Sequence, residues 1–247
     1  MIKLKTNKEI DLIRESSKIL KQAHKIIGEN IKPGITTSDL NKIVEEFIIS
    51  QGAKPSFKGY QGFPASICAS PNEQVVHGIP NDKPLKEGDI LSVDIGVYKN
   101  GYHSDAARTY PVGEVSTDLK NLIAAAKQAF YEGLKDIKTG NTIGDISNNI
   151  QKYIEKKGYG LVKVLVGHGI GSNLHEEPAV PNFGNRSMGE KIQEGMVLAI
   201  EPMINLGTGD VEFKSDGWTC VTKDGKPSAH YENTVAFTNK GVEILTG

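Results

Sequence analysis

The sequence predicts an α+β protein of two duplicated halves, about residues 1–112 and 113–247, in one domain over 1–247. Three observations predict it. Residues 31–52 align without a gap on residues 137–158, where Ile31/Ile137, Lys32/Lys138, Gly34/Gly140, Thr36/Thr142, Asp39/Asp145, Ile48/Ile154 and Gly52/Gly158 are identical. Further along, two apolar runs end in a carboxylate at corresponding places, Ile90-Leu91-Ser92-Val93-Asp94 and Val197-Leu198-Ala199-Ile200-Glu201. Each half also reads helix, helix, strands, with no Pro- or Ser-rich linker between them. Such self-similarity at a fixed offset marks duplication. The halves are expected to share one continuous curved antiparallel sheet, with helices covering one face and the site on the other.

The elements follow in chain order. A helical pattern runs over 7–27, and Leu40, Ile43, Val44, Phe47 and Ile48 mark a second amphipathic helix behind a Gly-containing turn and a Thr/Ser/Asp capping cluster. Strands are expected at 65–69, 74–77, 90–97 and 102–110. In the second half a helix is expected over 117–136, then one bearing Ile146, Ile150, Tyr153 and Ile154 on its apolar stripe, and each capped helix is expected to end at its glycine, Gly52 or Gly158. Strands are expected at 161–166, 196–203, 217–221 and 231–237.

Composition narrows the function classes. Lys+Arg at 29 against Asp+Glu at 30 gives a net charge of -1, which predicts neither a nucleic-acid footprint nor a polybasic membrane surface. No signal-peptide apolar region opens the chain and no later run is long enough to span a bilayer, so a cytoplasmic location is expected. Cys68 and Cys220 offer no CxxC pair or disulfide framework, which fits a reducing compartment.

The chemistry starts at Asn100-Gly101, a strong two-residue hairpin signal between alternating strands. Such a turn pairs Lys99 with Tyr102, Gly96 with Asp105 and Asp94 with Ala107, so Asp94 and Asp105 become diagonal neighbours on one face. His168 lies in Gly167-His168-Gly169-Ile170-Gly171, where glycines allow close backbone approach to a site. That segment has serine at the third position of the GxGxxG nucleotide loop and no long helix after it, so it is not read as one. Four carboxylates, Asp94, Asp105, Glu201 and Glu232, with neutral His168 balance two divalent ions in charge, and imidazole beside carboxylate suits Mn, Fe, Co, Ni or Zn.

Taken together, Asp94 and Asp105 across the hairpin, His168 in Gly-His-Gly-Ile-Gly, His175 in His-Glu-Glu-Pro, Glu201 in Ile-Glu-Pro-Met and Glu232 in Tyr-Glu-Asn-Thr resemble the type I methionine aminopeptidases, the short bacterial form among the M24 metallopeptidases, over essentially the whole chain. The resemblance implies a pita-bread fold and two divalent ions, with Asp105 and Glu232 touching both, His168 and Glu201 completing one and Asp94 chelating the other. It implies a hydroxide bridging the ions that attacks the first peptide bond, Glu201 as proton acceptor, His175 stabilising charge on the scissile oxygen, and His77 contacting the substrate backbone. Without it, His175 reads as a capped turn and His77 as a strand-end histidine. Tyr60, Phe63, Cys68, His77, Leu174, His175 and Trp218 match the family's substrate-binding residues, and a mostly apolar, sulfur-bearing wall suits a flexible thioether. The substrate implied is the initiator methionine of nascent peptides with a small second residue, met by a monomer, with the ribosome as a transient partner.

Three positions depart from better-known bacterial members: Phe57 where some carry cysteine, Leu174 where some carry phenylalanine, and Asn233 where histidine is common. Proline-specific relatives on the same fold differ by a large added N-terminal domain. A binding protein that kept the fold and lost its metals is the reading of a different class.

Overall fold

The computed structural model describes residues 1–247. Helices Asn7–Asn30 (α1) and Thr37–Ser50 (α2) open the first half, each started by a capping box, Thr6 with Glu9 and Thr36 with Asp39. Strands Lys54–Pro55 (β1), Ile67–Pro71 (β2), Gln74–Val76 (β3), Ile90–Lys99 (β4) and Tyr102–Pro111 (β5) follow. The second half repeats the order with helices Thr117–Leu134 (α3) and Ile143–Lys157 (α4). Its strands are Gly160–Leu161 (β6), Gly167–Gly169 (β7), Glu176–Val180 (β8), Val197–Ile200 (β9), Met203–Asn205 (β10), Val211–Phe213 (β11), Cys220–Thr222 (β12), Ser228–His230 (β13), Asn233–Thr238 (β14) and Gly241–Ile244 (β15). No helix is long and apolar enough to cross a membrane.

The duplication persists at the level of single hydrogen bonds. Gly34 N donates to Leu85 O and Leu85 N to Ile35 O; in the other half Gly140 N donates to Ile192 O and Ile192 N to Asn141 O. Isolated bridges Thr36–Pro84 and Thr142–Lys191 complete the match. Each pair of contacts ties the loop before the second helix to the turn that launches a carboxylate-ending strand. Gly88 and Gly195 in those launching turns adopt φ 90° and 88°, which a side chain would strain.

Each half has its own apolar core. Leu20, Ile27, Val44 and Ile95 pack in the first, and Leu122, Phe130, Ile150 and Leu198 in the second. A third, smaller cluster with Ile13, Phe63, Cys68, Leu174 and Val197 draws on both halves and forms the apolar ground beside the site.

The sheet is less continuous than expected. Hydrogen bonding divides the strands into four sheets: β1-β4-β2 with β5 on β4, β13-β10-β6, β11-β12-β3, and β15-β14-β9-β7-β8. The halves share a ladder at β3–β12, and where β5 faces the second half threonine side chains take over much of the pairing. Thr234 Oγ1 accepts from Asp105 N at 2.9 Å and donates to Asp105 O at 2.8 Å, and Thr109 Oγ1 does the same for His230 N and O at 2.9 Å each. The expected strand at 196–203 breaks at Glu201-Pro202 because proline has no N–H to give the ladder. Of 161–166 only Leu161 lies in a strand, at the end of β6; Val164 is 67% exposed, so the apolar run leaves the sheet instead of continuing through it. The strand expected at 231–237 starts at Asn233, and α2 stops at Ser50, two residues before Gly52.

Candidate metal and peptide site

The β4–β5 hairpin has the register its turn predicts. Asn100 and Gly101 both take positive φ, 50° and 90°, and Lys99–Tyr102, Gly96–Asp105 and Asp94–Ala107 are paired. Only a glycine fits at 96, where a Cβ would come within 2.7 Å of the Phe57 ring. Asp94 and Asp105 are thereby fixed side by side at the floor of a cavity of about 340 Å³. Glu201 reaches the same floor from the β9–β10 break and Glu232 from just before β14.

This floor is a cluster of like charges. Asp105, His168 and Glu232 bring ligand atoms within 4.8 Å of one another. His168 Nε2 lies 3.8 Å from Glu201 Oε1. Burial pushes the Asp94 carboxyl up to about 7. Burial raises Asp105, Glu201 and Glu232 well above the ordinary carboxylate range, and the neighbouring carboxylates add to each. Asp94 Oδ1, Asp105 Oδ1 and Glu232 Oε1 are buried without a hydrogen-bond partner. No lysine or arginine stands within ion-pair distance of any of the four.

The histidines are held neutral and aimed. His168 Nδ1 donates to Gly169 O at 2.8 Å, which leaves the Nε2 lone pair facing the carboxylates. Burial lowers His168 to about 3, with the nearby His175 contributing. His175 packs edge-on against the His168 ring, centroids 4.2 Å apart, with its Nδ1 2.8 Å from the Tyr60 hydroxyl. His77 follows β3 in the left-handed region, φ 58°, a strained conformation for a non-glycine residue. The next residue fixes it: Gly78 N donates to Ser70 Oγ at 3.0 Å, and a Cβ there would strike Ala69 O. Burial lowers His77 to about 4.

Above the floor, Tyr60, Phe63, Cys68, Leu174 and Trp218 form a wall with Phe57. Phe63 and Trp218 meet edge to face at 5.1 Å. Asp216 presents the tryptophan: its Oδ1 accepts from the backbone N–H of both Trp218 and Thr219 at 2.8 Å, an Asx-type turn. All twelve residues singled out from the sequence line this one cavity.

Metallopeptidase family M24 matches residues 11–239 by sequence pattern. The chain belongs to that family. A methionine aminopeptidase from Clostridium perfringens is 53% identical over 100% of this chain and 99% of that protein. The crystal structure of methionine aminopeptidase from Rickettsia prowazekii superposes with a TM-score of 0.98 at 42% identity, each chain fully covered. Prolidase from Pyrococcus furiosus shares the fold at a TM-score of 0.81 and 25% identity, with 99% of this chain covering 65% of the prolidase. The pita-bread architecture expected from the sequence is therefore the fold of this M24 chain.

The M24 family uses divalent metal, and the donor set suits it. The orphaned oxygens of Asp94, Asp105 and Glu232 are what a hard cation takes up, and a buried unpaired carboxylate otherwise costs several kcal/mol.

Sequence reasoning missed two residues of this centre. His230 is 2% exposed, its unpartnered Nε2 lies 3.7 Å from Glu201 Oε2 and 4.0 Å from Glu232 Oε2, and burial lowers it to about 3. The alternation His230-Tyr231-Glu232 in an extended segment is its signal. Arg108 donates to Ala107 O at 2.8 Å, to Glu232 O and to Asn233 Oδ1 at 2.7 Å, and its guanidinium stacks 4.3 Å over Tyr231. It grips the backbone that carries Glu232, and no local pattern announces that.

Proposed function

We propose that the whole chain, 1–247, acts as one catalytic unit that removes the initiator methionine from nascent proteins whose second residue is small, such as Ala, Gly or Ser. The observation that supports it best is the pairing of an orphaned carboxylate floor with an aromatic, sulfur-bearing wall in one cavity. Asp94, Asp105, His168, Glu201 and Glu232 would hold two divalent ions, drawn from Mn, Fe, Co, Ni or Zn. When bound, the ions supply Lewis acidity that brings a water molecule's pKa towards neutrality and a position for the neutral α-amine.

The remaining work falls to the side chains. Glu201 takes the proton from the attacking water and passes it to the leaving amine. With its Nδ1 accepting from the Tyr60 hydroxyl, neutral His175 carries its proton on Nε2 and offers that N–H as a hydrogen bond to the scissile oxygen as negative charge develops there. His77 holds the peptide backbone. Phe57, Tyr60, Phe63, Cys68, Leu174 and Trp218 pack the methionine side chain, whose flexible thioether adapts to an irregular wall. The same reading has the chain working as a monomer in the cytoplasm on peptides emerging from the ribosome.

Release of free methionine from Met-Ala-Ser and Met-Lys-Ser peptides by metal-stripped protein, with and without Mn or Co, tests this. Metal-restored cleavage of the first peptide alone is expected; cleavage of neither, with metal bound, overturns it. His175→Ala should lower turnover about 10²–10³-fold and leave metal stoichiometry unchanged.

A further inference from the structure

Beside the carboxylate floor lies a second buried charge that the proposed mechanism does not use. Lys5 Nζ meets Glu176 Oε2 at 2.7 Å, and the two side chains are only 4% and 3% exposed. Glu176 immediately follows His175. Its other oxygen, Oε1, accepts from Asn173 N at 3.0 Å and from Ser172 Oγ at 3.3 Å, so one carboxylate spans the whole turn that presents Leu174 and His175. The turn is closed from below as well. Gly171 packs on the lysine stem, where a Cβ would come within 2.5 Å of Lys5 Cε, and Gly171 O accepts from His103 N at 2.8 Å.

Lys5 is itself immobilised. Its N–H donates to Gly195 O at 2.7 Å, and the next residue, Thr6, caps α1. The backbone that carries the ammonium is thus anchored to the turn that launches β9, the strand leading to Glu201. An ion pair buried this deeply is weak evidence for net stability, because desolvation offsets most of the attraction. What it supplies is geometry: a charge with one fixed partner specifies one arrangement of the turn.

We propose that the Lys5–Glu176 pair is a positioning device for His175, locking the 171–176 turn so that the imidazole sits between the Tyr60 hydroxyl and the His168 ring. This rests on the reading that His175 acts on the scissile oxygen. The pair touches no reacting atom and works entirely through the turn. A misplacement near 1 Å in a group that stabilises a transition state costs about 10²-fold in rate, so a loosened turn should register in kcat more than in KM.

The test compares Lys5→Met, Glu176→Gln, the double variant Lys5→Met/Glu176→Met and His175→Ala, all assayed on Met-Ala-Ser with Mn at a temperature well below each measured melting point. The double variant leaves no unpaired buried charge, so it should fold even if Lys5→Met does not. The expected result is a kcat lowered about 10–100-fold in the double variant and in any single variant that folds, with KM within about threefold and metal stoichiometry unchanged. A folded double variant with the kcat of the unaltered protein would make the pair merely structural and overturn the proposal. An active His175→Ala would remove the reading beneath it, and that outcome is distinct from the first.

Discussion

Two groups of buried carboxylates lie close together in this molecule and are treated in opposite ways. Glu176 has Lys5 at 2.7 Å and backbone N–H from Asn173. Burial alone would push its carboxyl up, but these hydrogen bonds and the Lys5 and Lys3 charges outweigh that and hold it below its ordinary value of 4.5. Asp94, Asp105, Glu201 and Glu232 have each other and no lysine or arginine within ion-pair distance; burial raises all four carboxyls, and repulsion from neighbouring carboxylates adds to Asp105, Glu201 and Glu232. The first arrangement is complete within the chain. The second is complete only with cations from outside, and that contrast separates a structural charge from a functional one without reference to any relative.

If the contrast is right, the two regions respond to the same insult with opposite signs. The largest effect is expected at the self-contained pair: Lys5→Met leaves Glu176 buried and unpaired and should cost about 3–5 kcal/mol in urea unfolding. Next comes pH, with metal-stripped protein. A carboxyl whose folded pKa is raised contributes stability that is fully present below its unfolded value near 4 and is lost as pH rises through the folded value, about 7 for Asp94, with Asp105, Glu201 and Glu232 shifted in the same direction. Stability, followed by urea unfolding, should therefore fall between pH 5 and pH 8, by up to about 1.4 kcal/mol per unit for each proton involved. Glu176, depressed, acts the other way, its contribution being present above 4.5 and lost as pH drops below it. A metal-stripped protein whose stability is flat from pH 5 to 8 would erase the contrast. The smallest effect is Glu232→Gln, which removes one repelling charge. It should stabilise the stripped protein by about 1–2 kcal/mol while weakening metal binding, and destabilisation in both states would count against the cluster.

Much of this arrangement is readable from residue order alone, because local rules determine it. Asn100-Gly101 sets a two-residue turn, the turn sets the register, and the register puts Asp94 and Asp105 on one face. The repeat at Thr36/Thr142 is equally legible, since capping boxes depend on residues three apart. What escapes depends on distance in sequence. Asn233 Oδ1 accepts from Arg108 and from Thr246 Oγ1 at 3.0 Å, contacts that only the closed fold creates. Lys5 finds Glu176 across the full length of the first half and more. The strand β8 at Glu176–Val180 is hidden by its proline, and the run after Leu161 reads as strand because apolar residues also serve a cavity rim, where Leu165 and Val166 stand. Phe57 and Leu174, two of the departures from relatives, both stand on the pocket wall.

The most direct test of the central claim is a calorimetric titration of metal-stripped protein with Mn at neutral pH, following proton release and melting temperature together. Two ions bound per chain, protons displaced from the raised carboxyls and a melting temperature that climbs with metal are the expected result. A folded protein that takes up no Mn or Co, releases no protons and melts unchanged would contradict it.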